Sequence, residues 1–446
     1  MTMTTVHSAI LDGLRAVPVT IQASAKPGLL SIRRADFKAT AEDDAELFRE
    51  IRIMVQNALA GVGASPPPPV EVLVRAEGDL PLRRGHLSGL DLPIALAVLA
   101  HVRGVRLDAP FARGALTLGG TVRVARGDFR AAELAQMRGR AALLSAGNPT
   151  HMPSFVPVGG LEQALAAAQG KGATMRLDDS ETRRPDSNPE QPDLSDMALS
   201  RTVLRPLLGA MVAGLGITLY GRPGAGTMML ARRLGGLLPE ITGAELRTVR
   251  RLYNDASMPL PSDRPFRAPH HTASIAALIG GATPGLAVER PGEMHLATHG
   301  VLFIDELLEF GVVTLRAFSA ARPKHTFLPV ASVRPGEYPS AYERIEPFRS
   351  QIFPVVVALP SPKFEGPRTS TAEAREIIEA ATARPAPPLD EEVLGGLPQG
   401  VNTRAERAVL LATAFARLDG AERTTQIHID EALTYLDAPT GKEIAS

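Results

Sequence analysis

Cysteine and tryptophan are both absent from the 446-residue sequence. Without cysteine there are no disulfides, thiolate zinc sites, iron–sulfur clusters or catalytic thiols. Neither charge is in excess, with 48 Lys and Arg against 48 Asp and Glu. A strongly basic or acidic whole-chain surface is therefore excluded, although local patches are not. Lysine is scarce, occurring only at positions 26, 38, 171, 324, 363 and 442, and arginine supplies the other basic residues. No segment reaches the roughly 18 consecutive apolar residues that span a bilayer. The longest candidate, 207–220, is short, glycine-interrupted and leads into a turn. Residues 1–19 lack the basic start, long apolar run and small-residue cleavage site of a secretory leader. A cytoplasmic protein with no membrane partner is expected.

What is present suffices for several cores. Hydrophobic residues make up 44% of the chain, and roughly 100–200 residues per domain gives two to four domains. The first 170 residues read as one α/β unit. Val17, Val19, Ile21 and Ala23 alternate as one face of a strand, with Pro18 placed as an edge strand tolerates it. Leu47, Ile51, Val55 and Leu59 set a helix over 43–59. A proline run follows at 66–69, then a strand over 70–75 and an apolar helix over 91–102 opened by Asp91. Gly119-Gly120 joins a hairpin, 141–145 is a short buried strand and 161–169 a last helix. Composition then shifts to Asp, Glu, Pro, Ser and Arg over 171–195, an exposed linker. A further break falls at 361–367, and helices are expected over 372–382, 403–418 and 429–436.

The informative chemistry begins at a strand-like Gly216–Tyr220, followed by Gly221-Arg-Pro-Gly224-Ala-Gly226 and a helix-like 228–234. A phosphate-binding loop is written G-x-x-x-x-G-K-[ST], its glycines letting backbone N–H groups converge on phosphate oxygens. Gly221 and Gly226 have that separation, but the lysine position holds Thr227 and the hydroxyl position Met228. Thr227 supplies no cation for the β- and γ-phosphates, and a thioether is no ligand for Mg²⁺. Taken alone, the loop is equally a glycine turn that binds no nucleotide. Val301-Leu-Phe-Ile-Asp305-Glu306 describes a buried strand delivering two carboxylates at its end. In a Walker B arrangement the Asp orients Mg²⁺ and the Glu polarises the attacking water. The alternative is a core strand running into an acidic turn.

These motifs, with Arg264-Pro-Phe-Arg-Ala-Pro-His-His271, Ile279-Gly-Gly281, Arg290-Pro-Gly-Glu-Met-His-Leu-Ala297 and His299-Gly-Val-Leu-Phe-Ile-Asp-Glu306, resemble the ComM/YifB family of magnesium-chelatase-like AAA+ ATPases. Gly85–Leu96 and Leu116–Gly127 resemble the family's N-terminal stretches. The resemblance implies a Lon-protease-like α/β domain over 1–170, a linker over 171–195, an AAA+ P-loop-type α/β core over 196–360 and a helical lid over 361–446. It implies ATP or ADP with Mg²⁺ at Gly221, Gly224, Gly226 and Thr227, with Asp305 as metal ligand and Asp305 and Glu306 as catalytic acids. Arg404, in Asn402-Thr-Arg-Ala-Glu-Arg407, would be the sensor-2 arginine. Departures cluster on catalysis. The family's sensor-1 A-A-M-N-P reads Ala331-Ser-Val-Arg334-Pro335 here, and its L-L-D-R-I-D reads Phe348-Arg-Ser-Gln-Ile-Phe353, which leaves Gln351 at the arginine-finger position unless Arg349 substitutes. The family's opening D-x-x-G-Q is reduced to Asp196-Met-Ala-Leu-Ser200, and its Cys-rich segment is missing.

Two function classes follow. One is a non-hydrolysing, nucleotide-sensing or scaffold subunit in DNA processing, assembling with itself or with an active AAA+ relative. The other is an active ATP-dependent DNA-remodelling motor, as in competence or branch migration, in which Arg222 or Arg334 replaces the lost cation. Other signals are weaker. The adjacent His270 and His271 point differently on any regular element and have no carboxylate at i+4. Ser88 has only Lys26 and Lys38 as lysines in its domain. Arg232-Arg233 and Arg250-Arg251 are modest basic pairs that suit solvated faces.

Overall fold

The computed structural model describes the chain except residues 1–2, 14, 36–39, 65–68, 149–151, 172–191, 262, 283–288, 323–325, 335–338, 361–367, 392, 394–402 and 437–446. Most of the proline run, most of the acidic linker and the break at 361–367 thus lie outside the described residues. The chain forms two units. The first holds 1–186, 250–260 and 281–291, and the second holds 187–249, 261–280 and 292–446. Among the described residues no helix is long and apolar enough to cross a membrane.

The first unit contains β1 (Thr4–Asp12), β2 (Arg15–Ala25), β3 (Ser31–Arg34), α1 (Ala41–Leu47), α2 (Arg49–Gly61), β4 (Val70–Ala76), α3 (Asp91–Val102), β5 (Phe111–Ala112), β6 (Ala115–Leu116), β7 (Val122–Arg123), α4 (Asp128–Met137), β8 (Ala142–Ser145), β9 (Phe155–Val158) and α5 (Leu161–Ala166). Seven strands form one mixed sheet in the order β3-β4-β2-β1-β5-β8-β9, and β6 and β7 form the expected hairpin. One face buries Val6, Ile10, Val19 and Ile21 with α2, α3 and α5. The other buries Ala9, Phe111 and Leu144 against Phe129 and Ala132 of α4. Helix α3 is buried from Leu92 to Ala100, as its unbroken apolar run requires. Its first residue, Asp91, accepts the Leu116 N–H at 3.1 Å, and burial pushes its carboxyl up to about 6. The segment 250–260 is tied into this unit by Asp255, whose carboxylate takes Arg130 Nε at 2.6 Å and whose carbonyl takes Arg126 Nε at 2.9 Å.

Two details differ from the sequence reading. β2 is an inner strand, between β1 and β4. Its pairing with β4 begins at Val19, so Pro18 lies just past the end of that ladder and its missing N–H costs no sheet bond. The helix expected over 43–59 is two, α1 and α2, separated at Phe48 (φ −95°, ψ 10°), which is buried.

The second unit contains α6 (Arg201–Ala213), β10 (Ile217–Tyr220), α7 (Thr227–Leu234), most of α8 (Gly243–Asp255), β11 (Phe266–Arg267), α9 (Ile275–Ile279), α10 (Glu293–Leu296), β14 (Val301–Ile304), α11 (Val312–Ala321), β15 (Leu328–Val333), α12 (Pro339–Ile352), β16 (Val355–Ala358), α13 (Thr371–Ala383), α14 (Thr403–Asp419) and α15 (Gln426–Leu436). The short β12 (Gly281–Ala282) and β13 (Glu289–Arg290) pair with each other in the first unit. Five parallel strands run in the order β11-β14-β15-β10-β16. Both faces are covered, which explains their continuous apolar sequences. Ile217, Leu219, Phe303, Val330 and Val357 pack with α6, α7 and the C-terminal helices. Tyr220, Leu302, Ile304, Ala331 and Val356 pack with Leu278, Leu315 and Phe353 on the other side. Arg205 of α6 joins Asp419 at 2.7 Å and Glu431 at 2.7 Å, and lies over the Phe415 ring at 4.9 Å. Asp193 accepts the Thr371 N–H at 3.2 Å at the start of α13. The C-terminal helices are thereby fixed to the same core as the sheet.

Candidate nucleotide site

Three neighbouring parallel strands end at one edge of the second sheet. β10 runs into the glycine loop, β14 into Asp305 and Glu306, and β15, between them, into Arg334. Ligands of open α/β sheets bind outside the carboxyl ends of the strands, so this edge is where a site belongs. The register pairs Tyr220 with Val333 and Ile304 with Ala331. Gly221 N–H donates to the Val333 carbonyl at 3.2 Å. Beyond it the chain turns through Ala225 N–H onto the Arg222 carbonyl at 2.9 Å. Gly224 (φ 86°) and Gly226 (φ 87°) both stand in the left-handed region, which requires glycine. Gly226 is the N-cap of α7, and Thr227 is its first residue. The loop therefore leads through two left-handed glycines directly into the first turn of α7, whose N–H groups face back toward it. Arg222, Pro223 and Gly224 are exposed.

The acid pair is held from β15. Ser332 Oγ donates to Asp305 Oδ1 at 2.6 Å and accepts the Glu306 N–H at 2.8 Å. Glu306 adopts φ 53°, an uncommon backbone for a non-glycine residue, and this turns it away from the strand direction. Its carboxylate is ion-paired with the Arg334 guanidinium. The sequence marks Arg334 as a replaced asparagine and as a candidate for the lost cation, but does not show its partner. Its pairing with Glu306 and the role of Ser332 were missed, although a serine in the apolar run Leu328–Val333 was a usable signal.

Other residues fall elsewhere. Arg349 is no arginine finger: it is 1% exposed. Its Nε and Nη2 donate to Glu346 at 2.6 Å each, and Nη2 also donates to the Leu436 carbonyl at 3.4 Å. It ties α12 to α15. Gln351 is exposed and accepts Ser319 Oγ at 3.0 Å. Arg404 stands exposed in the first turn of α14. Asp196 takes Arg233 Nη2 at 2.6 Å, which anchors the segment before α6 to α7. The rings of His270 and His271 lie 4.0 Å apart, and His270 Nδ1 meets Thr272 Oγ1 at 2.8 Å. Among the described residues no group of three His, Cys, Asp or Glu is arranged to hold a metal ion. Ser88 is exposed, and Lys26 is ion-paired with Glu71; Lys38 lies outside the described residues.

Residues 193–321, which include the loop and both acids, match the family described as magnesium chelatase, subunit ChlI. A magnesium-chelatase-like α/β protein is the class that this match and the parallel sheet define. The chain is 32% identical over 329 residues to the uncharacterized protein YifB of Escherichia coli (strain K12), covering 71% of this chain and 62% of that one. To the competence protein ComM of Haemophilus influenzae it is 30% identical over 338 residues, covering 70% and 61%. The chain belongs to the ComM/YifB family of magnesium-chelatase-like proteins. It spans 62% and 61% of the length of these two curated relatives. A full-length MCM homolog from Methanopyrus kandleri aligns over 53% of each chain at 20% identity with a TM-score of 0.30, too slight a likeness to assign a fold.

Proposed function

We propose that this chain is a ComM-like AAA+ family protein that binds ATP or ADP at the glycine loop and hydrolyses it slowly or not at all. It acts as a nucleotide-sensing or scaffold subunit in DNA processing, in a homo-oligomer or with an active AAA+ relative. The observation that carries this reading is the Arg334–Glu306 ion pair. The carboxylate that would polarise water is committed to a cation, while the loop has Thr227 where a lysine would neutralise phosphate charge. Loss of a single transition-state donor costs about 100- to 1000-fold in rate, and here several positions differ together.

Gly221, Gly224, Gly226 and Thr227 are the proposed phosphate contacts, and Arg404 is a proposed sensor from α14. Mg²⁺ accompanying the nucleotide fits Asp305, because Mg²⁺ is usually held by one or two carboxylates plus phosphate and water oxygens. There it would neutralise phosphate charge, while Ser332 keeps the Asp305 carboxylate oriented. We further propose a Lon-protease-like domain over 1–170, a linker over 171–195, an AAA+ core over 196–360 and a helical lid over 361–446. Support for the core comes from the strand order, in which β15 separates the glycine-loop strand from the acid strand.

The test is isothermal calorimetry of ATP and ADP with Mg²⁺, together with a turnover assay on the same sample. Binding with no turnover above background is expected. Turnover that is abolished in Glu306→Gln yet indifferent to change at Thr227 would sink the proposal in favour of an active motor.

A further inference from the structure

A cavity of about 360 Å³ lies where β14 and β15 begin, beside the end of α6 and the start of α8. The glycine loop and the acids stand at the other ends of these parallel strands. Ligand pockets typically measure roughly 300–1,000 Å³ and are apolar with a few fixed polar groups. The apolar walls here are Met211, Leu238, Phe327, Leu328 and Pro329, and the polar lining includes Glu245, Arg264 and His299. His299 adopts φ 61°, a left-handed backbone uncommon outside glycine. Two hydrogen bonds hold it there. Its N–H donates to the Thr326 carbonyl at 2.6 Å, and its carbonyl accepts Arg264 Nη1 at 2.5 Å. Strain of this kind persists only where the surroundings over-determine it, and it collects at functional sites. The imidazole Nδ1 lies 3.3 Å from Glu245 Oε1. A carboxylate beside Nδ1 favours the tautomer with its proton there, which leaves Nε2 as an acceptor. Burial holds the imidazole pKa below its ordinary value, so the ring is neutral near pH 7. Nε2 has no hydrogen-bond partner among the described residues. Both Glu245 oxygens are engaged, since Oε2 accepts the Thr242 N–H at 2.8 Å and lies 3.6 Å from Arg264 Nη2. A cation entering the cavity would compete with Arg264 for Glu245, and an anion would meet Glu245 and Glu240. The ligand that fits is neutral and apolar, with one hydrogen-bond donor.

We propose that this cavity binds a small phenol, its ring against Phe327 and Leu328 and its hydroxyl donating to His299 Nε2. A phenol joins an apolar body to a single polar tip, as these walls and this one acceptor require. A free phenol and the tyrosine side chain of a partner present the same chemistry. The inference is independent of the nucleotide reading, because the two sites share no residue.

The experiment titrates 2-naphthol, 2-methoxynaphthalene and 2-naphthoate with the full chain and follows the fluorescence of the probe, which the absence of tryptophan leaves clear. 2-Naphthol should bind, and 2-methoxynaphthalene about 5- to 100-fold more weakly, because an ether oxygen cannot donate and leaves Nε2 unpaired. 2-Naphthoate should bind weakest of the three. His299→Asn keeps a residue that tolerates the left-handed backbone but withdraws Nε2. It should weaken 2-naphthol about 5- to 100-fold and erase its advantage over the ether. His299→Gly, which also suits the backbone, should do the same, with melting temperatures of both variants verifying that they fold. Binding of N-acetyltyrosine amide that also depends on His299 identifies a tyrosine side chain as the occupant. Binding of 2-naphthol alone identifies a free phenol, and both results uphold the proposal. Equal affinity for 2-naphthol and its ether, an advantage that persists in both variants, tightest binding of 2-naphthoate, or no binding of any probe overturns it.

Discussion

The Ser332 hydroxyl donates to Asp305 Oδ1 at 2.6 Å while accepting the Glu306 N–H at 2.8 Å. One small side chain from β15 thus fixes the direction of one acid and the backbone of the other. Ser332 is 5% exposed, so water does not replace it readily. We expect Ser332→Ala to leave the Glu306 N–H without its acceptor and to destabilise the second unit by about 1–3 kcal/mol. The midpoint of urea denaturation followed by circular dichroism measures the loss. In the same variant, enhancement of nucleotide binding by Mg²⁺ should fall, because Asp305 loses its orienting hydrogen bond. A midpoint unchanged within error would show that the hydroxyl is dispensable.

Gly226 joins the loop to α7 at φ 87°. An alanine there pays the left-handed penalty of about 1–2 kcal/mol or moves the loop to escape it. Gly226→Ala is therefore expected to weaken ATP and ADP alike, because it disturbs the backbone donors that both nucleotides share. Calorimetry with each nucleotide in turn measures the loss. Retention of both affinities would mean that the loop does not cradle phosphate.

The site was legible in part, for identifiable reasons. Gly216–Tyr220 and Val301–Ile304 announce themselves as short apolar runs ending in glycine or acid, and their helices follow. Arg334 could be flagged by position, but its partner depends on β15 lying between β10 and β14, a long-range strand order that no local pattern encodes. Ser332 stands out as a polar residue in an apolar strand, but its partner appears only when the fold sets Asp305 beside it. In the first unit, helix α3 was read to its observed limits, Asp91 and Val102, from a continuous apolar run. Strand β1 escaped notice because Thr5, His7 and Ser8 interrupt its apolar residues. The break at Phe48 was invisible because the fourfold spacing of Leu47, Ile51 and Val55 continues across it.

Packing of the C-terminal helices on α6 depends on a missing side chain. A Cβ added to Gly209 would meet Phe415 Cε1 at 2.3 Å and Leu411 Cδ1 at 3.2 Å. Phe415 is fully buried, so its ring has little room to retreat. Gly209→Ala should cost about 1–3 kcal/mol through overpacking, despite alanine's better helix propensity. Denaturation midpoints report this, and Phe415→Leu in the Gly209→Ala background should return part of the loss. If Gly209→Ala is stabilising, propensity outweighs the clash and α14 is less tightly seated than described.

Asp91 gives the first unit a defined response to pH. Burial raises its carboxyl from the ordinary carboxylate range to about 6, against the lowering effects of the Leu116 N–H and Arg113. A carboxyl raised in the folded state favours the protonated form there. Its contribution is fully present below the unfolded value near 4 and is lost as pH rises through about 6. Asn keeps an acceptor for the Leu116 N–H and does not titrate. Asp91→Asn should therefore be more stable than the parent by about 1–3 kcal/mol above pH 7, with the difference shrinking toward zero as pH falls to about 4. Melting temperatures of the two proteins from pH 4 to pH 8 trace the curve. A difference that does not vary with pH would mean that Asp91 ionises as freely in the folded chain as in the unfolded one.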